Sequence, residues 1–333
     1  MGDRSQDRER RVVSALRALW SPPSDARTAL LVGDIDGHLN RDLAGSVESR
    51  TAWCRWSTIR QPGQAWPKRG DYAFATLRLP REKDTLLFSI ETIAAQLDEG
   101  APLWVYGSND EGIKSAARHI SPFFDDVRTV GSKHHCRVWC GRRNATPARD
   151  ALDQWVTHTE LPLPSGSRKW THLPGVFAKG GLDSATALLL EALEGYPTPT
   201  RVLDFACGGG VIGAELAARW STSSISGLDA DAVAIEAARA NSDYTELYTS
   251  DSWSALDGLT YDLIVSNPPI HRGKSEDLGV LESLIERARE FLNPGGSLWL
   301  VGQKRLNLAR RLDGVLKANC ERDDGRFQVW SAR

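Results

Sequence analysis

The chain has 333 residues, 41% hydrophobic and 25% charged, with a formal net charge of −2. That length suits two domains better than one. A charge so near zero does not fit a protein that grips naked nucleic acid through many phosphates, so any such contact is expected to be local or helped by a structured partner. No apolar run reaches membrane-spanning length, and the charged stretch Gly2 to Arg11 has no apolar segment behind it, so it does not read as a signal peptide. The five cysteines, Cys54, Cys136, Cys140, Cys207 and Cys320, are odd in number and scattered. They fit reduced thiols in a cytoplasm, not a disulfide framework.

Apolar residues at Val12, Val13, Leu16 and Leu19 predict a helix over Gln6–Trp20, ended by Ser21-Pro22-Pro23-Ser24. Ala29 to Gly37 then reads as a buried strand running into a glycine turn, and Arg201 to Gly210 repeats that pattern. The repetition continues in order. Tyr72 to Pro80 matches Tyr261 to Pro269, Leu97 to Val105 matches Leu292 to Leu300, and His135 to Trp139 matches Arg326 to Trp330. Four anchors in one order indicate an internal duplication. Strands alternate with helical stretches at Ser184–Leu193, Asp231–Ala240 and Leu278–Phe291, the pattern of a mostly parallel α/β sheet with helices on both faces. The alternating Phe327–Trp330 suits an antiparallel edge strand.

The copies differ at the turns. In the first, Asp34, Ile35 and Asp36 separate Gly33 from Gly37, and Leu77-Arg78-Leu79-Pro80 stands where the second has Ser266-Asn267-Pro268-Pro269. The first half is therefore read as a fold without the reactive site. Between the halves, Gly141 to Lys169 is rich in Pro, Ser, Gly, Arg and Thr and reads as a linker with a short helix at Ala148–Thr157. This gives a division into 1–143, a linker at 144–170, and 171–333. Lys133 to Lys169 holds seven Lys/Arg against three Asp/Glu, either a solvated linker or a local phosphate-contacting strip. In Lys133-His134-His135-Cys136-Arg137-Val138-Trp139-Cys140 a zinc site is weighed against core cysteines. The cysteines fall within a strand pattern and no second ligand pair is near, so core cysteines are expected and no metal.

In the second half, Asp204-Phe205-Ala206-Cys207-Gly208-Gly209-Gly210 lies between a strand and a helix predicted over Val211 to Arg219. Glycines at 208 and 210 let the backbone turn tightly under a ligand, and the helix N-terminus offers free N–H groups. Gly213 completes a G-x-G-x-x-G spacing, so a dinucleotide-binding hydride-transfer fold must be considered. Two features count against it. Asp204 would repel a pyrophosphate but attract an amino group, and Asn267-Pro268-Pro269 has no role in hydride transfer. Asp229 ends the next strand, where an acid suits a ribose diol. Asp251 follows the third strand and can accept from an adenine amine. At the end of the fourth strand, the prolines give a stiff backbone with no N–H of its own. The Asn267 amide and outward carbonyls there suit a planar NH2 donor.

These residues, Val202–Gly210, Asp229, Asp251 and Asn267–Pro269, resemble the motifs of class I S-adenosylmethionine-dependent methyltransferases, in the branch that methylates amino nitrogens. Asn267-Pro268-Pro269-Ile270-His271, with Leu173-Pro174-Gly175-Val176-Phe177-Ala178-Lys179-Gly180-Gly181-Leu182-Asp183, resembles bacterial small-subunit ribosomal RNA guanine-N2 methyltransferases. That resemblance implies two tandem Rossmann-like domains, the N-terminal one degenerate and either structural or substrate-binding. It implies S-adenosylmethionine held by Asp204, Cys207, Gly208, Gly210, Asp229, Ala230, Asp251, Ser252 and Asn267. It further implies catalysis by Asn267, Pro268, Pro269 and His271, and a base held by Ile270 and Phe177. The implied partner is ribosomal RNA or the assembled small subunit, with no membrane or metal, and a monomer is expected. Large-subunit RNA, DNA adenine or a protein glutamine are alternative acceptors, and a non-catalytic ribosome-assembly factor is an alternative of another class. Two positions depart from the family pattern. Ile270 stands where an aromatic ring is usual, and Ala206 where glycine is common. The second exchange costs little if φ at Ala206 is negative.

Overall fold

The computed structural model describes residues 3–25, 27–58, 60–177, 181–272, 275–276 and 278–333, without the side chains of residues 3–6, 271, 272, 275 and 276. It contains two compact units, Met1–Val156 and Thr157–Arg333.

The N-terminal unit runs α1 (Asp3–Leu19), β1 (Thr28–Val32), α2 (His38–Asp42), β2 (Ser49–Trp53), β3 (Phe74–Arg78), α3 (Lys83–Gln96), β4 (Pro102–Ser108), α4 (Ala117–Ile120), β5 (Phe124–Lys133) and β6 (Cys136–Arg143). Its sheet has the order β2-β1-β3-β4-β6-β5, parallel as far as β4 and antiparallel beyond. The C-terminal unit opens with an antiparallel hairpin, β7 (Thr157–Leu163) and β8 (Gly166–His172). It continues through α5 (Ser184–Ala192), β9 (Arg201–Phe205), α6 (Val211–Arg219), β10 (Ser224–Asp229), α7 (Ala232–Asn241), β11 (Glu246–Thr249) and β12 (Tyr261–Ser266). A two-residue pairing, β13 (His271–Arg272) with β14 (Ser275–Glu276), leads to α8 (Gly279–Arg287), β15 (Leu292–Gln303), α9 (Leu308–Leu312), β16 (Ala318–Asp323) and β17 (Phe327–Ala332). This sheet is ordered β11-β10-β9-β12-β15-β17-β16. The central strands are buried on both faces, which is why Leu30-Leu31-Val32 and Leu263-Ile264-Val265 are continuous apolar runs. Among the described residues no helix is long and apolar enough to cross a membrane.

The duplication holds residue by residue. Ala29 pairs with Phe74 as Val202 pairs with Leu263, and Trp104 faces Cys140 as Trp299 faces Ser331. In this register Leu31 occupies the place of Asp204, and Arg78 that of Asn267. Between β2 and β3, the described residues of 54–73 form only isolated bridges, whereas α7 and β11 fill the corresponding interval of the second unit.

Arg78 is 7% exposed, and its guanidinium binds Glu9 of α1 at 2.7 and 2.8 Å and Glu111 at 2.9 Å. Burial pushes the Glu111 carboxyl up, but the adjacent Arg78 charge and hydrogen bond outweigh it and hold that carboxyl below its ordinary value.

Three expectations need correction. The supposed linker contains the β7–β8 hairpin, whose Leu161, Leu163 and Trp170 are buried against Ala214 of α6. Its composition misleads because Pro164 and Ser165 form the turn of a strand pair that closes at Leu163 and Gly166. The helix expected at Ala148–Thr157 is a single 3₁₀ turn, Leu152–Trp155. Beside it, Arg149 lies over the Trp155 ring at 3.4 Å and binds Glu91 at 2.8 Å, so this segment is strapped to the unit. The terminal strand β17 is antiparallel but lies inside β16, which forms the edge; the exposed, charged Ala318–Asp323 carries no apolar alternation to announce it. Cys136 and Cys140 lie buried in the core beneath α1, and among the described residues no three His, Cys, Asp or Glu gather as metal ligands.

Arg78→Ala takes the bidentate partner from Glu9 and leaves the buried Glu111 with Arg81 at 3.2 Å; it is expected to destabilise the N-terminal unit by about 3 kcal/mol, in line with breaking one partner of a buried pair. Urea unfolding followed by tryptophan fluorescence checks this. A depressed folded-state pKa stabilises above the unfolded value and loses that stabilisation as pH falls, so the difference between wild type and variant should shrink below about pH 4.

Candidate active site

The loop from β9 to α6 has φ +59° at Ala206, +54° at Gly208 and +90° at Gly210, which caps α6. The Gly210 N–H donates to the Cys207 carbonyl at 2.9 Å. The N-terminal unit keeps the same turn: the Gly37 N–H donates to the Asp34 carbonyl at 2.9 Å, and Gly33 and Gly37 have φ +76° and +63°. The first copy has therefore kept the left-handed ends and the closing hydrogen bond of the loop, while Ile35, which does not share the positive φ, stands where Gly208 does. Ala206 adopts the left-handed conformation, so the condition of a negative φ fails. An L-residue there carries about 1 kcal/mol of strain that glycine would not.

The glycines have different reasons. A Cβ on Gly208 would meet nothing within 4 Å, so this residue faces open space. A Cβ on Gly210 would come within 3.1 Å of Ala238, and one on Gly213 within 2.2 Å of the Tyr244 ring and hydroxyl. Gly213 thus makes room for a tyrosine, not for a pyrophosphate, which explains the dinucleotide-like spacing without a dinucleotide.

Asp204 is fully buried. Its Oδ2 accepts from the Tyr244 hydroxyl at 2.6 Å and the Gly213 N–H at 3.0 Å, while its Oδ1 has no hydrogen-bond partner among the described residues. Burial raises its pKa to about 7 against the opposing pull of those two hydrogen bonds. The carboxyl faces inward, where it ties the loop to α6 and to Tyr244. Asp229, half-buried at the end of β10, accepts from the Gly208 and Asp231 N–H groups, both at 2.8 Å. Ala230 beside it is half-buried, and Asp251 is exposed just past β11. Ser252 caps the short 3₁₀ turn that follows. Cys207 is buried, which raises its thiol pKa and leaves it unreactive.

Asn267 follows β12 directly. Its side-chain nitrogen donates to Asp183 Oδ2 and to Thr186 Oγ1, both at 2.9 Å. No donor among the described residues reaches its Oδ1. Pro268 is buried, Pro269 exposed, and Ile270 half-buried against the core under α8. The side chain of His271, and residues Ala178, Lys179 and Gly180, lie outside the described residues. Phe177 is 68% exposed, and its neighbour Val176 would lie 3.3 Å from a Cβ on Gly209, so this segment runs over the loop. The structure thus brings Gly208, Asp229 and Asn267 to adjacent strand ends at the carboxyl edge of the sheet, the position of ligand sites in open α/β sheets.

Sequence reasoning missed Asp183 and Thr186, which hold Asn267. It also missed Tyr244, and Asn241, whose amide bridges Thr171 of the hairpin and the Gly209 carbonyl at 3.0 and 3.1 Å. Only Asp183 left a trace, as an acid ahead of an apolar helical run.

This sheet order, with a glycine loop after its first strand and Asn-Pro-Pro after its fourth, is the arrangement of a class I methyltransferase. The family model of the methyltransferase small domain matches residues 168–331, and that of its N-terminal counterpart residues 25–159. The ribosomal RNA small subunit methyltransferase C of Pseudomonas entomophila is 37% identical over 251 residues, 74% of each chain. Its namesake in Stutzerimonas stutzeri is 35% identical over 312 residues, 87% of this chain and 91% of the relative. The solved T. thermophilus 16S rRNA N2 G1207 methyltransferase (RsmC), in complex with AdoMet and guanosine, has the same fold, with a TM-score of 0.84 at 23% identity over 97% of this chain and 91% of that one. The chain belongs to the methyltransferase small domain family, whose enzymes take their methyl group from S-adenosylmethionine.

Ala206→Gly relieves the left-handed strain and is expected to stabilise the C-terminal unit by about 1 kcal/mol, measurable by denaturant unfolding. The raised pKa of Asp204 has the opposite sign to a salt-bridged acid. A carboxyl whose folded pKa lies above its unfolded value costs stability as pH rises past the unfolded value, and the cost levels off above about 7. Asp204→Asn should therefore flatten the fall in melting temperature of this unit between pH 4 and 7.

Proposed function

We propose that this chain transfers the methyl group of S-adenosylmethionine to the exocyclic N2 amine of a guanine in small-subunit ribosomal RNA. The observation that carries this reading is the Asn267 amide: both its hydrogens are engaged by Asp183 and Thr186, so its oxygen is the atom left to accept from a substrate NH2. The names of the relatives supply the RNA, and the guanosine bound to the solved relative fits a planar amine at such an acceptor.

The residues fit the cofactor. Gly208 leaves space above the loop, and Asp229, at the end of β10 beside it, is the carboxylate that would meet a ribose diol. Ala230, Gly210 and the backbone of Cys207 would shape the walls of its site, Asp251 and Ser252 would hold the adenine, and Asp204 acts on the site through the loop. S-adenosylmethionine supplies a methyl group on a sulfonium. The guanine N2 lone pair is delocalised into the ring and must be withdrawn from it to attack in line. Asn267 Oδ1 and the Pro268 carbonyl each accept one N–H, which favours a pyramidal nitrogen and aims its lone pair. Positioning and stabilisation of the charge growing on nitrogen account for the rate. Pro269 stiffens the turn, and Ile270 and the exposed Phe177 hold the base, Phe177 offering a ring where Ile270 lacks one. A guanine within a helix must first be unstacked. On this reading the enzyme works in the cytoplasm, with the ribosomal RNA it methylates.

Incubation with tritiated S-adenosylmethionine and small subunits, protein-free small-subunit RNA, large-subunit RNA, DNA or protein, followed by nucleoside mass spectrometry, should give N2-methylguanosine from the first two alone. Label only in another acceptor overturns the assignment. Asn267→Ala should bind S-adenosylmethionine with little change by calorimetry and lose turnover by about 100-fold or more, the scale of removing one oriented transition-state hydrogen bond.

A further inference from the structure

We propose that Asp183 and Thr186, at the start of α5, are positioning residues for methyl transfer: they dictate which way the Asn267 amide faces. This rests on the role given to Asn267 above.

An amide carries two donor hydrogens on nitrogen and an acceptor oxygen, and rotation by half a turn exchanges them. At Asn267 the surroundings admit one orientation. Its nitrogen lies 2.9 Å from Asp183 Oδ2 and 2.9 Å from Thr186 Oγ1. A carboxylate oxygen accepts, so the flipped amide would set oxygen against oxygen. Thr186 cannot relieve this, because its hydroxyl hydrogen is already given to Asp183 Oδ2 at 3.1 Å. Asp183 in turn is fixed as the N-cap of α5 through the Thr186 N–H at 2.9 Å. The polarity therefore runs one way, from Asn267 to Thr186 to Asp183, and Thr186 is 5% exposed, so water does not compete freely.

The N-terminal unit provides an internal comparison. There too an acid on the helix before the first strand reaches the residue at the Asn267 position: Glu9 of α1 grips Arg78 at 2.7 and 2.8 Å. A guanidinium has no acceptor to present. Both units tie the leading helix to the end of the same strand, but only the second tie engages a nitrogen and leaves an acceptor oxygen that no described donor reaches.

Three variants test this beside Asn267→Ala, using S-adenosylmethionine and small ribosomal subunits. Thr186→Val keeps the branched shape and removes the hydroxyl; Thr186→Ser restores it. One atom, Asp183 Oδ2, receives the Thr186 N–H, the Thr186 hydroxyl and the Asn267 amide. Asp183→Ser keeps a capping oxygen for the Thr186 N–H but sets it one bond closer to its own backbone, away from Asn267. Turnover should fall about 10-fold in Thr186→Val and about 100-fold in Asp183→Ser, as for a slight misplacement of a reacting group. Thr186→Ser should recover most of it, with cofactor affinity within about twofold throughout. A purely structural cap would instead move cofactor affinity and melting temperature together with turnover, and that result overturns the proposal. So does wild-type turnover in both Thr186→Val and Asp183→Ser when Asn267→Ala is inactive. Full turnover in Asn267→Ala would instead remove the underlying role of Asn267, and this proposal with it. Should Asp183→Ser not fold, the Thr186 pair decides alone.

Discussion

The site depends on one fully buried hydrogen bond and the ladder behind it. Ser266 donates its hydroxyl to the Phe205 carbonyl at 2.7 Å, at the point where β9 and β12 part. Parallel pairing brings Asp204 opposite Val265, so the glycine loop and the Asn-Pro-Pro turn leave the sheet side by side. A one-residue slip would turn every side chain to the opposite face and bury Asn267. The stack of Phe205, Trp253 and Phe291, with ring centroids 4.6 Å apart, helps hold this register from the α8 side. The opposite face is held through Tyr196, whose hydroxyl meets Ser297 at 2.8 Å.

Much of this was legible in the sequence because the signals are local. Apolar runs bounded by glycine and proline gave the strands, and the spacing of four anchors gave the duplication, which the ladder registers reproduce residue for residue. Helices α5, α6 and α7 lie within a residue of their predicted bounds because their caps and apolar spacing are encoded in place. What stayed hidden depends on contacts between distant positions. Asn267 and Asp183 are 84 residues apart, and Tyr244 and Asp204 are 40 apart. No pattern in either neighbourhood announces the meeting. The sign of φ at Ala206 was equally silent, since alanine ordinarily avoids that region. The hairpin and β16 were missed for a different reason: charge and turn residues dominate their composition, and only packing or sheet pairing makes them strands.

The two units show how little of this scaffold belongs to the chemistry. The turn after the first strand survives in both, with a left-handed residue at each end and the same closing hydrogen bond. What separates them is the content of four places. Leu31 replaces Asp204, Ile35 replaces Gly208, Arg78 replaces Asn267, and residues 54–73 replace α7 and β11. Fold and reactivity are therefore carried by different residues, with Asp204 an exception, since it organises the loop from inside the core.

The Arg78 cluster also makes the divergence one-way. To regain an amide at position 78, the N-terminal unit would have to give up a guanidinium that neutralises Glu9 and Glu111, at about 3 kcal/mol before any benefit. An acid restored at position 31 would enter a fully buried apolar cluster. Each step back is uphill on its own, and none is useful until the others are in place. The inert half is thus locked into its present state by its own stability: a ratchet, in which the interactions that replaced the old chemistry are the ones that bar its return.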